Sequence, residues 1–195
     1  MDIYKALKKE SKSIKRFYII MIVLFIILPL AVYLTGLTSI FYLSYLTFME
    51  FLIFVAVVNK LNYTTIRYSC NNNRLKYKSG IFSKDNLILC DKVALVHTEK
   101  MEQEMEIIIV TSVKFRNRGL KLVTDGFLKR YKAIEKEYSK LKKLNPDTLF
   151  YYLIIRRGGL KKYLLLDLIY KNCVKAVYTE EGIQNIKIAR GQTLV

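Results

Sequence analysis

His97 is the only histidine in the chain, so neither a histidine-based nucleophile triad nor a multi-histidine metal site can be assembled. It stands in a segment of strand-like periodicity, where an isolated imidazole is expected to be structural rather than catalytic. The three cysteines, Cys70, Cys90 and Cys173, are odd in number, far apart and form no C-x-x-C pair. That pattern fits neither a disulfide framework nor a zinc site, and three buried free thiols in a reducing compartment are expected. Glu99, Glu102, Glu104 and Glu106 gather carboxylates that would attract a cation. They lack the Asp/Asn/Gly spacing of a calcium loop, so a solvated loop is expected. No G-x-S-x-G, H-E-x-x-H, Walker A or G-x-G-x-x-G motif occurs. The expectation is a chain that is no enzyme and takes no cofactor or metal.

Glu50 is a different case, because it is the only charged residue between positions 17 and 58. A carboxylate at the centre of a membrane helix costs about 2.5–3.5 kcal/mol on insertion scales, so the protonated acid, a hydrogen-bond donor, is the expected form. Pro29 has no N–H, which leaves the carbonyl of Phe25 without its helical partner. In an antiparallel hairpin Phe25 and Glu50 reach a similar depth. The expected partner of Glu50 is that carbonyl, or Thr47 on its own helix face. The sharper alternative is a lysine, an arginine or a polar face in a partner membrane protein. One acid on two helices makes no proton or ion path.

The elements that carry Glu50 are two uncharged or nearly uncharged runs of 19 residues each, 17–35 (FYIIMIVLFIILPLAVYLT) and 40–58 (IFYLSYLTFMEFLIFVAVV). At roughly 1.5 Å per residue each reaches about 28 Å, close to the hydrocarbon thickness of about 30 Å. Only Gly36-Leu37-Thr38-Ser39 joins them, which requires a tight antiparallel hairpin. The first run is too long for a cleaved signal peptide and no small-x-small site follows it. Residues 1–16 carry six Lys or Arg against Asp2 and Glu10, the outer turn carries no charge, and residues 59–195 sum to +14. Both termini are therefore expected on the cytoplasmic face of the cell membrane. Tyr33 and Tyr42 flank the outer turn and Phe17 and Tyr18 the inner edge, where aromatic belts form.

Beyond residue 62 the period changes to two. Strands are expected over 63–69, 74–78, 86–89, 93–98, 106–115 and 120–124, with turns at Asn71-Asn72-Asn73 and Arg116-Asn117-Arg118-Gly119. Arg74, Lys76 and Lys78 alternate with Leu75 and Tyr77, as in a half-buried strand. Ile107-Ile108-Ile109-Val110 is apolar on both faces, as in a covered or central strand. Phe127, Tyr131, Ile134, Tyr138 and Leu141 then step by 4, 3, 4 and 3. That spacing makes one apolar stripe on a helix that runs to about residue 144, with Asp125 as N-cap. Antiparallel strands followed by such a helix form a sheet or partly open barrel closed by the helix.

The membrane hairpin, the alternating strand and RLKYKSGIFSKDNLILCDKVALVHTE (74–99) resemble the bacterial pleckstrin-homology-like domains of small membrane proteins. In those domains a glycine, here Gly80, ends the second strand, and a strand like Leu87-Ile88-Leu89 with Lys92-Val93 and Val96 follows. The resemblance covers residues 40–144. It departs at Cys90-Asp91, where members often carry proline, and after Leu144. It implies a membrane α+β chain: a two-helix hairpin, then a cytoplasmic antiparallel β-barrel with a C-terminal helix, and no specific ligand.

Four parts are thus expected: a basic N-terminus (1–16), the hairpin (17–58), the β domain with its helix (59–144) and a helical extension (145–195). In the extension, a helix over 148–157 with seven apolar residues in a row, Gly158-Gly159 as its cap and hinge, and a second helix over 163–178 make a hairpin too short to span a bilayer. It is expected to pack on the domain, on another copy or against anionic lipid.

The formal charge is +17. Tethered beneath an anionic bilayer, basic side chains serve lipid binding. The expected lipid-facing cations are Arg74, Lys76 and Lys78 on the strand and Arg156, Arg157, Lys161 and Lys162 at the glycine joint. The function this implies is a membrane-anchored scaffold engaging a partner protein, a second copy or anionic headgroups, as a subunit of a membrane complex. The alternatives are a nucleic-acid-binding module, prompted by basic residues interleaved with aromatics, and an accessory subunit of a membrane enzyme or transporter.

Overall fold

A computed structural model describes residues 2–36, 39–101, 104–115, 117 and 119–193. Leu37 and Thr38 of the outer turn, Glu102 of the acidic group, and Arg116 and Arg118 of the expected β-turn lie outside the described residues.

Helices α1 (Ile3–Thr35) and α2 (Ile40–Thr64) are both long and apolar enough to cross a membrane. Their large side chains, such as Ile26 and Phe54, lie exposed along both shafts, as lipid-facing residues must. The basic N-terminus is not a separate element, because α1 starts at Ile3, capped by the Asp2 carboxylate, which accepts from Tyr4 N at 3.3 Å. Ile3 and Ala6 are buried, so this end of α1 packs on protein. Its 33 residues extend about 50 Å at roughly 1.5 Å per residue.

α2 runs directly into strand β1 (Ile66–Asn71), which starts later than its period-two pattern because the helix continues to Thr64. The last carbonyls of a helix have no partner within it. Here Tyr63 O accepts from Gly158 N at 2.9 Å, and Thr65 O, just beyond the helix, accepts from Gly80 N at 2.7 Å. Asn62 Oδ1 accepts from Ile81 N at 3.0 Å. Three loop amides thus fasten the foot of α2 to the domain.

β1 pairs with β2 (Arg74–Ser79), and β2 with β3 (Asn86–Leu89), in an antiparallel sheet. Asn72 (φ 49°) and Asn73 (φ 58°) supply the two left-handed residues of a two-residue hairpin turn. A 3-10 turn at Cys90–Lys92 leads into a second sheet. Its strands are β4 (Val93–Met101), β5 (Glu104–Thr111), β6 (Lys121–Leu122), β7 (Tyr151–Ile155) and β8 (Val177–Tyr178), in the order β6-β7-β5-β4-β8. Neighbours are antiparallel except β4 and β8, which are parallel. Among the described residues the two sheets do not close into a barrel.

Ile107 to Val110 form the middle of β5, and all four are fully buried. Ile107 and Ile109 enter a core with Leu75, Tyr77 and Ile88 of the first sheet and with Leu165, Leu166 and Ile169 of α5 (Lys161–Asn172). Ile108 and Val110 face the opposite core. There they meet Phe127 of α3 (Asp125–Arg130) and Ile134 of α4 (Lys132–Leu144). The expected single helix therefore breaks at Tyr131 (φ −117°, ψ 76°), yet its apolar stripe is kept. Thr124, not Asp125, holds the N-cap position.

The expected helix over 148–157 is instead strand β7. A run apolar on both faces suits a strand covered on both sides as well as a buried helix, and its aromatic and β-branched residues favour the strand. Tyr152 stacks on Phe127 at 3.8 Å on one face, while Leu153 and Ile155 join the other core. The second expected helix is α5, which ends at Asn172. Beyond it the Tyr178 hydroxyl donates to Cys173 O at 3.1 Å and the chain turns into β8. An unexpected helix, α6 (Glu180–Ala189), follows, with Thr179 accepting from Gly182 N at 3.3 Å and Glu180 and Glu181 in its first turn. The chain after Asn145 thus completes the second sheet and covers it, rather than adding a separate helical hairpin.

Gly158 has φ 122°, and a Cβ there would stand 3.0 Å from the Ile66 side chain. A Cβ on Gly126, inside α3, would meet open space. Gly158→Ala is expected to cost about 1–3 kcal/mol, and Gly126→Ala to gain up to ~1 kcal/mol. Thermal melts of the full chain in detergent check both.

Candidate membrane-interface site

The glycine joint after β7 and the ends of α1 and α2 converge. α5 has no acidic residue in its own first turn. Glu10 of α1 supplies the charge instead: Leu160 N donates to both carboxylate oxygens, at 3.2 and 3.3 Å. An anion at a helix N-terminus is stabilised by free amides and by the helix dipole. Gly159 (φ 53°) is needed beside it, since a Cβ there would run into the Glu10 carboxylate.

The joint divides its cations. Arg156 extends the β5–β7 register to lie across from Glu106, and its Nε sits 3.0 Å from Glu106 Oε1. Tyr131 donates to the other oxygen at 3.5 Å. Lys162 is only 1% exposed and donates to Arg156 O at 2.6 Å. It shares the inward face of α5 with Leu165, Leu166 and Ile169, so it cannot face lipid, contrary to expectation. Arg157 and Lys161 remain exposed.

On the first sheet Arg74 and Lys76 point outward and Lys78 is half-buried, while Leu75 and Tyr77 are buried. Arg67 of β1, not singled out from sequence, lies directly across from Lys78. Like charges in that position repel, which favours an external anion. Lys15 and Arg16 on α1 and Lys60 on α2 complete a basic collar at the foot of the hairpin. Lys60 Nζ lies 6.0 Å above the Phe17 ring.

The intramembrane group is not brought together. Glu50 makes no hydrogen bond or ion pair among the described residues, and Thr47 Oγ1 donates to Leu43 O at 2.9 Å in its own helix. Phe25 is exposed, and Pro29 sits inside α1 without a bond linking this region to Glu50.

The other chemical candidates fall within the folded domain. Glu99 and Glu106 are cross-strand partners in β4 and β5, not members of a loop. Burial, then repulsion from Glu106, raises the Glu99 carboxyl above its ordinary value. The three cysteines, distant in sequence, meet in the first core, with Cys70 Sγ 3.9 Å from Cys90 Sγ. A hydrogen bond from Cys173 leads in drawing the Cys90 thiol down to about 7. The same bond and burial push Cys173 up, and burial and Cys90 push Cys70 up to about 11. Among the described residues no group of three His, Cys, Asp or Glu is placed to hold a metal.

His97 Nδ1 lies 2.9 Å from Thr179 Oγ1 at the start of α6 and 3.8 Å from Glu181. Burial lowers its pKa, against the pull of Glu181.

No family model, curated protein or solved structure matches the chain.

Because the folded imidazole resists a proton that the unfolded chain accepts near pH 6.5, His97 stabilises the fold above that pH. This contribution is lost as the pH falls below 6.5. The melting temperature is expected to drop between pH 7 and 5, and the drop to be shallower in His97→Gln.

Proposed function

We propose that the chain is a non-enzymatic, membrane-anchored binding module, with both termini in the cytoplasm. Its α+β domain rests against the inner leaflet and engages anionic headgroups. The observation that carries this is the basic collar. Lys15, Arg16, Lys60, Arg67, Lys78, Arg157 and Lys161 all lie on segments at or next to the hairpin's foot, and Glu10, the acid among them, is committed to the amide of Leu160. Contacts of both α1 and α2 with the domain support placing the two termini on one side of the membrane. The pleckstrin-homology-like resemblance enters as an architecture: antiparallel strands backed by a helix, attached directly to a membrane hairpin.

The aromatic residues interleaved with cations weigh against nucleic acid. Tyr77, Phe127 and Tyr131 are 4%, 6% and 2% exposed, and stacking on bases requires open rings.

The full chain in nanodiscs tests the proposal. With phosphatidylglycerol in place of phosphatidylcholine, its melting temperature is expected to rise at low salt, and the rise to shrink at 1 M salt, where the Debye length is about 3 Å. Replacing the collar residues Arg16, Lys60 and Arg157 with Gln should reduce the gain by up to ~1 kcal/mol per charge. Identical melting in both lipids would overturn it.

Glu50 supports a second role, as a subunit of a membrane complex, since its carboxyl has no partner among the described residues. Glu50→Gln is expected to keep a co-purifying membrane partner and Glu50→Leu to lose it, while the hairpin still inserts. If both variants keep the partner, Glu50 has no part in the contact.

A further inference from the structure

Beside the collar lies a groove of about 760 Å³ between the cytoplasmic turns of α1, the end of α2, β1 and α5. Three cations line it: Lys15, Arg67 and Lys161. None of the three enters an ion pair among the described residues. Glu10 also lines the groove, but its carboxylate accepts from Leu160 N. The Tyr18 hydroxyl is buried there without a hydrogen-bond partner. A buried hydroxyl without a partner costs about 1–3 kcal/mol, which a ligand oxygen would relieve.

Tyr18 and Leu61 also line a second cavity of about 360 Å³ between α1 and α2, so the two share a wall. Its remaining walls are all apolar, among them Ile22, Phe25, Phe54 and Val57. A cationic cup at headgroup depth therefore adjoins an apolar furrow at acyl-chain depth. A soluble anion has no use for the furrow, and a neutral lipid has none for three unpaired cations.

We propose that these adjoining cavities together bind one anionic glycerophospholipid of the inner leaflet. Its phosphate sits among Lys15, Arg67 and Lys161, an oxygen meets the Tyr18 hydroxyl, and one acyl chain lies in the furrow between α1 and α2. The proposal rests on the cytoplasmic placement of the domain. It differs from the general surface attraction in requiring a single lipid that stays bound when the bilayer is removed.

The experiment is native mass spectrometry of the full chain in mild detergent, incubated with phosphatidylglycerol or with phosphatidylcholine of the same acyl chains. One retained phosphatidylglycerol per chain is expected. Lys15→Gln, Arg67→Gln and Lys161→Gln should each lower its affinity about fivefold, the equivalent of ~1 kcal/mol per cation. Tyr18→Phe should lower it a few-fold. Val57→Trp fills the furrow while leaving every cation in place, and should also expel the lipid. The pair Lys175→Gln and Lys187→Gln, exposed on the domain and away from the groove lining, should leave retention unchanged. Thermal melts without lipid confirm that each variant is folded.

Equal retention of both lipids overturns the site, as does retention that survives Val57→Trp and the triple charge removal. If the nanodisc melting temperature still responds to phosphatidylglycerol in that case, the surface attraction stands and only the site falls. If neither measurement responds, both proposals fall.

Discussion

The carboxylate of Glu10 against the amide of Leu160, which caps α5, is the contact that ties the first membrane helix to the folded domain. α2 reaches the domain through the covalent chain and three loop amides, whereas the start of α1 is joined to it by side-chain contacts. Its attachment comes from Glu10, from the buried Ile3 and Ala6, and from the absence of a side chain at Gly159. Both sides of the contact need the other. α5 has no acid of its own to meet its positive end, and α1 carries its acid on the one turn that reaches it.

The domain in turn depends on a sheet that is dry on both faces. β5 lies in its middle, with one face turned to α3 and α4 and the other to α5 and the three-stranded sheet. The cationic surface at the glycine joint is shaped by which side chains the fold engages. Arg156 and Lys162 lie within a few residues of Arg157 and Lys161, yet the first pair is held by protein oxygens and the second is not. Arg156 lies across from Glu106 of β5 and Lys162 sits on the inward face of α5, while Arg157 and Lys161 lie on the exposed side of the joint.

Local pattern carried much of this architecture. The two spans, the Asn72-Asn73 turn, the outward Arg74 and Lys76, the doubly buried Ile107–Val110 run and the apolar stripe from Phe127 were all legible from spacing, because each is set by a period within one element. For β7 a short run apolar on both faces has no period to distinguish strand from helix; its aromatic and β-branched residues and the edge that β5 offers favour the strand. α6 carried a signal in Thr179 followed by Glu180 and Glu181, an N-cap with acids in the first turn. The meeting of Cys70, Cys90 and Cys173, the engagement of Lys162, the partner of Glu10 and the groove beside Tyr18 were not legible. Each joins residues far apart in the chain, and no alternation or heptad links them.

The length of α1 has a mechanical consequence. A helix of about 50 Å crossing a hydrocarbon layer of about 30 Å leaves some 20 Å as a rigid arm on the domain side. That arm is bonded to the domain at its far end, and α2 is bonded at the near end, so the hairpin cannot lean without carrying the domain with it. Membrane helices answer changes in bilayer thickness by tilting. With the basic face placed against the bilayer as proposed, such a tilt would rotate that face relative to the membrane plane, and the thickness of the bilayer would set how closely it lies against it.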